Sequence, residues 1–164
     1  VPTPVRVRRA GSGDAAVLAA LHEPLHRLHA EALPEEYPPY DATATQAYYA
    51  GVLADPQWRF WRAEVDDCPV GLVGCEVRER PSSPFTRPLR VLYVHQLSVV
   101  EDARRSGVAR ALMEAAEQEA GRAGCSELRL DHQQFNVSAH RFYEALGYRT
   151  RQVSMAKPVR GRDG

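Results

Sequence analysis

The sequence predicts one α/β domain in which strands and helices alternate around a mixed sheet. Three observations carry this. Strand-like runs recur along the chain, the most apolar being VLYVHQLSVV at 91–100. Between them lie segments whose apolar residues fall at helical spacing, clearest at 108, 111, 112, 115, 116 and 120. The chain has 164 residues, the length of one domain, with neither internal repeat nor linker. We place that domain at 1–158 and a polar C-terminal tail at 159–164.

The elements follow in order. VRVRR at 5–9 alternates and predicts a half-exposed strand. GSGD turns the chain, and Asp14 is positioned to cap a helix whose apolar face is Val17, Leu18, Leu21, Leu25, Leu28 and Ala32. Pro24 should kink that helix or split it. LPEEYPPYD at 33–41 is a proline-rich loop, and a second helix is expected over Thr43–Leu53. WRFWRAEV at 58–65 and VGLVGCEVRER at 70–80 predict neighbouring strands joined at DDCP. A second loop with three prolines, 81–88, leads into the apolar strand 91–100, expected to be central. A helix then starts at Val108 and stops at Gly124. SELRLDH at 126–132 predicts a strand, NVSAHRFYEAL at 136–146 a helix closed by Gly147, and YRTRQVSMA at 148–156 a last strand.

Composition excludes several classes. Lys+Arg and Asp+Glu are 21 each, so no global field draws the protein to nucleic acid or to an anionic membrane. Lys157 is the only lysine, so the basic charge is almost all arginine. Cys68, Cys75 and Cys125 are odd in number and lack C-x-x-C spacing, which fits a reducing compartment rather than a disulfide framework or zinc knuckle. No stretch has membrane-spanning length, and VPTPVRVRRAG has no apolar signal core. The expected location is the cytoplasm.

Three patterns compete for the chemistry. Gly11-x-Gly13-x-x-Ala16 follows a strand and opens a helix, as a dinucleotide fingerprint does, but that strand is arginine-rich and a proline-rich loop stands where the next strand of the unit belongs. HEPLH at 22–26 is a literal H-E-x-x-H, with His29 beyond it, but Pro24 inside it distorts the i,i+4 geometry that two zinc ligands need. No metal is expected. The third is the hand-over from strand to helix, EDARRSGVAR at 101–110. Backbone N–H groups and the helix dipole make such a turn an anion site. Gly107 admits close approach of a large anion, Ala109 is small, and Arg104 and Arg105 add charge-assisted contacts. There is no G-x-x-x-x-G-K-[ST], so the expected anion is a pyrophosphate held without a required metal.

Arg104-x-x-Gly107-x-Ala109 resembles the R/Q-x-x-G-x-G/A acyl-CoA signature of GCN5-related N-acetyltransferases (the GNAT family). NVSAHRFYEALGY resembles the family's second signature, with Asn136, Ala139, Phe142, Tyr143, Gly147 and Tyr148 in register. The order of elements is similar along nearly the whole chain. The resemblance implies a central, largely antiparallel sheet splayed at the middle, with helices on both faces. It implies acetyl-CoA as cosubstrate, its pyrophosphate on the turn residues Arg104, Arg105, Ser106, Gly107, Val108, Ala109 and Arg110. The pantetheine arm would lie along Leu97, Ser98 and Val99, touch Asn136 and find room at Ala139. Tyr143 would protonate the departing thiolate.

The chemistry of amine acetylation agrees, since it needs a free amine, a stabilised oxyanion and a protonated leaving group. Tyr143 and Ala139 share a helix face, and a core aromatic is the alternative reading of Tyr143. Asn136 is also a good helix N-cap in its own right. Where many relatives carry a glutamate on the central strand, this chain has His95 and Gln96. His95, with an ordinary pKa of about 6.5, is the candidate base. The loop between the first two helices, which lines the acceptor pocket in the family, holds Glu36, Tyr37, Tyr40 and Asp41 beside Glu31 and Glu35. Carboxylates and aromatics suit a cationic amine, small or on a peptide; a solvated acidic loop is the alternative. One closing strand where the family often has two implies a partner subunit, hence a homodimer. The reading is an N-acetyltransferase working by direct attack in a ternary complex; the alternative is an acyl-CoA-binding module without turnover.

Overall fold

The computed structural model describes residues 4–159. Five strands form one sheet in the order of the chain: β1 (Arg6–Arg9), β2 (Trp58–Val65), β3 (Cys68–Arg80), β4 (Leu89–Val99) and β5 (Glu127–Leu130). The first three pairings are antiparallel and the last, β4 with β5, is parallel. The helices are α1 (Ala15–Ala32), α2 (Ala42–Leu53), α3 (Val108–Arg122) and α4 (Val137–Ala145), with short 3-10 turns at Ser12–Asp14 and Glu101–Ala103. This is the mixed α/β architecture expected. Residues up to Asp131 form one compact unit and residues from His132 a second.

In the first unit the sheet is covered on both faces. Leu18, Leu21, Tyr49, Phe60 and Leu72 build the core under α1 and α2, all with at most 4% of their surface exposed. Leu112, Met113 and Ala116, fully buried, line the face of α3. Gly71 marks the contact with α3, since a Cβ there would press to 3.0 Å on Val108 Cγ1. The outer strand β1 is tied down electrostatically. Glu64, 4% exposed, receives Arg6 at 2.8 Å, Arg8 at 2.9 Å and Arg62 at 2.9 Å.

Three sequence expectations meet a different structure, and the dinucleotide reading that the sequence already counted against is excluded beside them. Asp14 does not cap α1 through its side chain. Its carboxylate accepts Gly11 N–H at 2.8 Å and pairs with Arg62 at 2.9 Å, a charge the sequence does not place beside it. Pro24 does not split α1, which is continuous through it. A helical proline removes one N–H donor, and nearby carbonyls take donors from outside the helix: Tyr40 Oη donates to Ala19 O at 2.7 Å and Ser98 Oγ to Leu21 O at 2.6 Å. The Gly11–Asp14 segment is a 3-10 turn leaving an outer strand whose neighbour is antiparallel, not the first crossover of a parallel unit. No strand forms over 148–156. Residues 149–159 are all exposed; Arg149 and Arg151 interrupt an apolar set of only Val153 and Met155, too little to bury as a strand.

Candidate functional site

The site grows out of one irregularity in β4. Gly74 pairs with Gln96 and Cys75 with Val94, so His95 is the extra residue of a β-bulge. The bulge resets the alternation of the strand. Tyr93, cross-strand neighbour of Glu76, lies on the same face as Trp58 and Phe60. Beyond the bulge Gln96, opposite Gly74, and Ser98, bonded to α1, lie on that face too. His95 joins them: its ring lies tilted by 32° at 4.5 Å from Trp58 and edge-on at 4.9 Å from Tyr93.

The polar partners of His95 come from β3. Its Nε2 lies 2.8 Å from Glu76 Oε2, and Arg78 Nε donates to the same oxygen at 2.7 Å. The Arg78 guanidinium lies over the Tyr93 ring at 3.8 Å, and Tyr93 Oη donates to Asp131, the residue just beyond β5. Burial lowers the pKa of His95, against the opposing pull of Glu76, so the ring is neutral at pH 7. Burial alone would raise Glu76, but its bonds to Arg78 and His95 prevail and hold it below the usual carboxylate range. Burial and the bond to Asp131 push Tyr93 up to about 12.

The sheet opens at the same place. β5 pairs with β4 only from Val91 to Val94, while β4 runs on to Val99. Among the described residues no strand covers the β5-side edge of β4 past the bulge. Leu97 there presents its main-chain groups and Val99 its N–H, the Val99 carbonyl accepting Arg104, and Ser98 spends its hydroxyl on α1.

Beyond β4 comes the turn. Arg104 Nε donates to Val99 O at 3.3 Å, which ties the turn to the strand end. Arg105 (φ 61°) and Gly107 (φ 89°) both take left-handed backbone, and Ser106 Oγ donates to Ala103 O at 2.6 Å. Gly107 is the N-cap of α3 and offers no side-chain cap, so the first N–H groups of the helix, at Val108, Ala109 and Arg110, keep no intrahelical acceptor. Arg104, Arg105, Ser106, Gly107 and Arg110 are exposed while Val108 anchors the helix in the core. An open depression of about 440 Å³ between this turn and α1 is lined by Glu23, Pro24, Arg27, Glu31, Glu101 and Arg104.

In the second unit Asn136 caps α4, its Oδ1 accepting Ala139 N–H at 3.0 Å. The Tyr143 ring packs between Tyr148, at 5.8 Å, and Phe142, at 5.2 Å, with His132 stacked at 6.3 Å.

The acceptor-loop residues divide. Asp41 is the N-cap of α2, accepting Ala44 N–H at 2.9 Å, and Tyr40 fastens the loop to α1. Tyr37 packs on His29 at 5.0 Å, and Glu36 is exposed. Sequence reasoning missed Trp58, Glu76 and Arg78, which the pairing of β2, β3 and β4 brings to His95. In the H-E-x-x-H segment, His22 bonds Tyr49 and His26 bonds Pro38 O at 2.7 Å, so the two rings serve different partners.

The profile of the acetyltransferase (GNAT) family matches residues 22–148. No curated protein matches the sequence. Among solved structures the fold is similar to a tetramutant of the BH1408 protein from Bacillus halodurans, at 22% identity and TM-score 0.87, over 94% of this chain and 99% of that one. It is also similar to AAC(6')-Iy in complex with the bisubstrate analogue CoA-S-monomethyl-acetylneamine, at 18% identity and TM-score 0.77, over 97% and 100% of the two chains. A third is the aminoglycoside acetyltransferase meta-AAC0020 from an uncultured soil metagenomic sample, at 17% identity and TM-score 0.68, over 95% and 97%. With most of the chain inside the family match, and an uncapped strand-to-helix turn beyond a sheet that opens at its bulge, the protein belongs to the acetyltransferase (GNAT) family and is an N-acetyltransferase.

Proposed function

We propose that the protein moves acetyl from acetyl-CoA to a primary amine by direct attack within a ternary complex. The observation that carries this is the continuity of β4 with the turn: a strand edge with open main-chain groups ends in an uncapped helix N-terminus flanked by arginines. The diphosphate of the coenzyme binds the N–H groups of residues 105–110 with Arg104 and Arg105 as counter-ions. The amide-bearing arm pairs with Leu97–Val99 as an added strand would. That structures of AAC(6')-Iy contain CoA and a CoA bisubstrate analogue supports the choice of donor.

The acceptor arrives as an ammonium, which must lose a proton to attack. His95, neutral at pH 7, takes it, directly or through water. The amine lone pair then forms the C–N bond to the thioester carbonyl, the C–S bond breaks, and Tyr143 protonates the thiolate. The second amine proton restores the tyrosine, and the imidazolium releases its proton to solvent. Asn136, while capping α4, retains its amide N–H groups for the arm, and Ala139 leaves room for it.

The acceptor is a cationic amine, small or on a peptide. Tyr48, 43% exposed and edge-on to Trp58, offers an aromatic face near Glu76, a setting that favours an ammonium. Glu36 and Tyr37 border the approach, with Tyr40 and Asp41 holding the loop. The working form is a homodimer, for which Val153 and Met155, 75% and 92% exposed, are the supporting surface. The free cysteines fit a reducing compartment such as the cytoplasm.

Release of CoA thiol from acetyl-CoA, measured over a panel of polyamines, aminoglycosides, amino-acid amines and peptide N-termini, tests the assignment. We expect turnover with at least one cationic class and a fall of roughly a hundredfold in kcat for Tyr143→Phe. Absence of turnover on the whole panel refutes the amine acceptor, and unchanged kcat in Tyr143→Phe removes the acid. Sedimentation as a monomer at assay concentration refutes the dimer.

A further inference from the structure

Glu76 lies in the middle strand of a row that crosses the sheet, opposite Trp58 on β2 and Tyr93 on β4. Its Oε2 is the meeting point of two donors, Arg78 Nε at 2.7 Å and His95 Nε2 at 2.8 Å. A carboxylate can only accept, so the neutral imidazole must carry its proton on Nε2 to make this bond. Arg78 Nη2, 3.3 Å from the same ring nitrogen, is a second donor and adds no acceptor to it. The other nitrogen, Nδ1, then bears the lone pair. Among the described residues no hydrogen bond engages it. Trp58 and Tyr93 pack on the ring and restrain its rotation.

We propose that Glu76 is a positioning residue for acyl transfer: its carboxylate, held by Arg78, accepts the Nε2–H of His95 and so fixes Nδ1 as the atom that takes the ammonium proton. This rests on the reading of His95 as the base. The step moves one proton from acceptor nitrogen to Nδ1, giving an imidazolium whose Nε2–H stays bonded to an ionised carboxylate. Glu76 therefore orients the ring before the step and stabilises the charge after it. The charged and titratable groups facing the ring are Glu76 and Arg78 from β3, Tyr93 from β4 and Asp131 past β5; Trp58 from β2 is neutral. Of these, Glu76 is the one within hydrogen-bond reach that favours the protonated ring, and its loss leaves burial and Arg78 opposed only by the charge of Asp131.

The experiment is nitrogen NMR of the histidine rings in the unliganded protein, with His95 assigned by its loss in His95→Asn, beside the pH profile of acetyl transfer. Above its pKa, His95 is expected as the Nε2–H tautomer in the wild type. In Glu76→Gln we expect a mixture of tautomers, a lower pKa, an acidic limb of kcat/KM moved the same way and kcat down roughly tenfold, with KM for acetyl-CoA unchanged. Glu76→Asp, which keeps the charge, should recover part of the pKa. An Nδ1–H tautomer in the wild type overturns the proposal without any variant. A Glu76→Gln protein with wild-type tautomer, pKa and pH profile overturns it as well. Because the ring spectra need no substrate, a protein inactive on every amine refutes the acyl-transfer reading while leaving the Glu76–His95 result standing on its own.

Discussion

His22 Nδ1 lies 2.6 Å from the hydroxyl of Tyr49, whose side chain is fully buried. The two share this hydrogen bond with the imidazole in its neutral form. Burial, with His26 and His29 nearby, lowers the pKa of His22 to about 4, and burial also raises that of Tyr49, so both groups are neutral across the working pH range. The folded pKa of His22 lies below the unfolded value of 6.5, so its contribution is intact above pH 6.5 and declines as pH falls toward 4. We expect wild type to lose about 2 kcal/mol more than His22→Gln between pH 7.5 and 5. Urea unfolding of both proteins at the two pH values checks this; parallel losses would contradict it.

Gly74 has no room for a side chain. A Cβ there would lie 2.5 Å from Phe60 Cε1 and closer still to Gln96 Oε1, beside the bulge that projects His95. Gly74→Ala should lower stability by about 1–3 kcal/mol. It should also disturb the His95 environment, seen as a changed ring shift in the histidine spectrum. A stable variant with unaltered spectrum would show that Phe60 moves aside freely.

At Gly107 the space is open but the backbone is not: φ is 89°, and no atom crowds a Cβ. Alanine there costs about 1–2 kcal/mol through its conformation alone and relaxes the turn that presents the first N–H groups of α3. Calorimetry should find CoA bound roughly tenfold more weakly by Gly107→Ala, and the melting temperature should fall by about 2–8 °C, with α3 still anchored by Val108.

The base has a kinetic signature. Since burial lowers the pKa of His95, kcat/KM should rise with pH through a value below the ordinary 6.5 and then level off. In His95→Ala that acidic limb should vanish and the plateau fall by about a hundredfold. Rate profiles at saturating acetyl-CoA decide it, and a limb that survives the substitution would assign it to another group.

Local patterns carried most of the fold. Helical spacing over Val108–Ala120 and alternation in β2 and β3 are properties of neighbours in sequence, and they located α3 and the strands. The turn before α3 was legible for the same reason, being a short hand-over from strand to helix. Glu76 was not legible, because its place beside His95 depends on strand register and on a bulge that no periodicity announces. Asp14 reads as a cap only until Arg62 arrives from a distant strand. The segment 148–156 shows the converse: its alternation is strand-like, yet a strand needs a neighbour and an apolar face, and pattern alone supplies neither.

β4 outlasts β5 by several residues, and what it exposes there is peptide rather than side chain. Recognition written in peptide groups is indifferent to which residues carry them. Leu97 and Val99 can drift among strand-forming residues without altering a single donor or acceptor, and only proline would delete one. Such a ledge keeps its chemistry through backbone shape even while the letters that build it change.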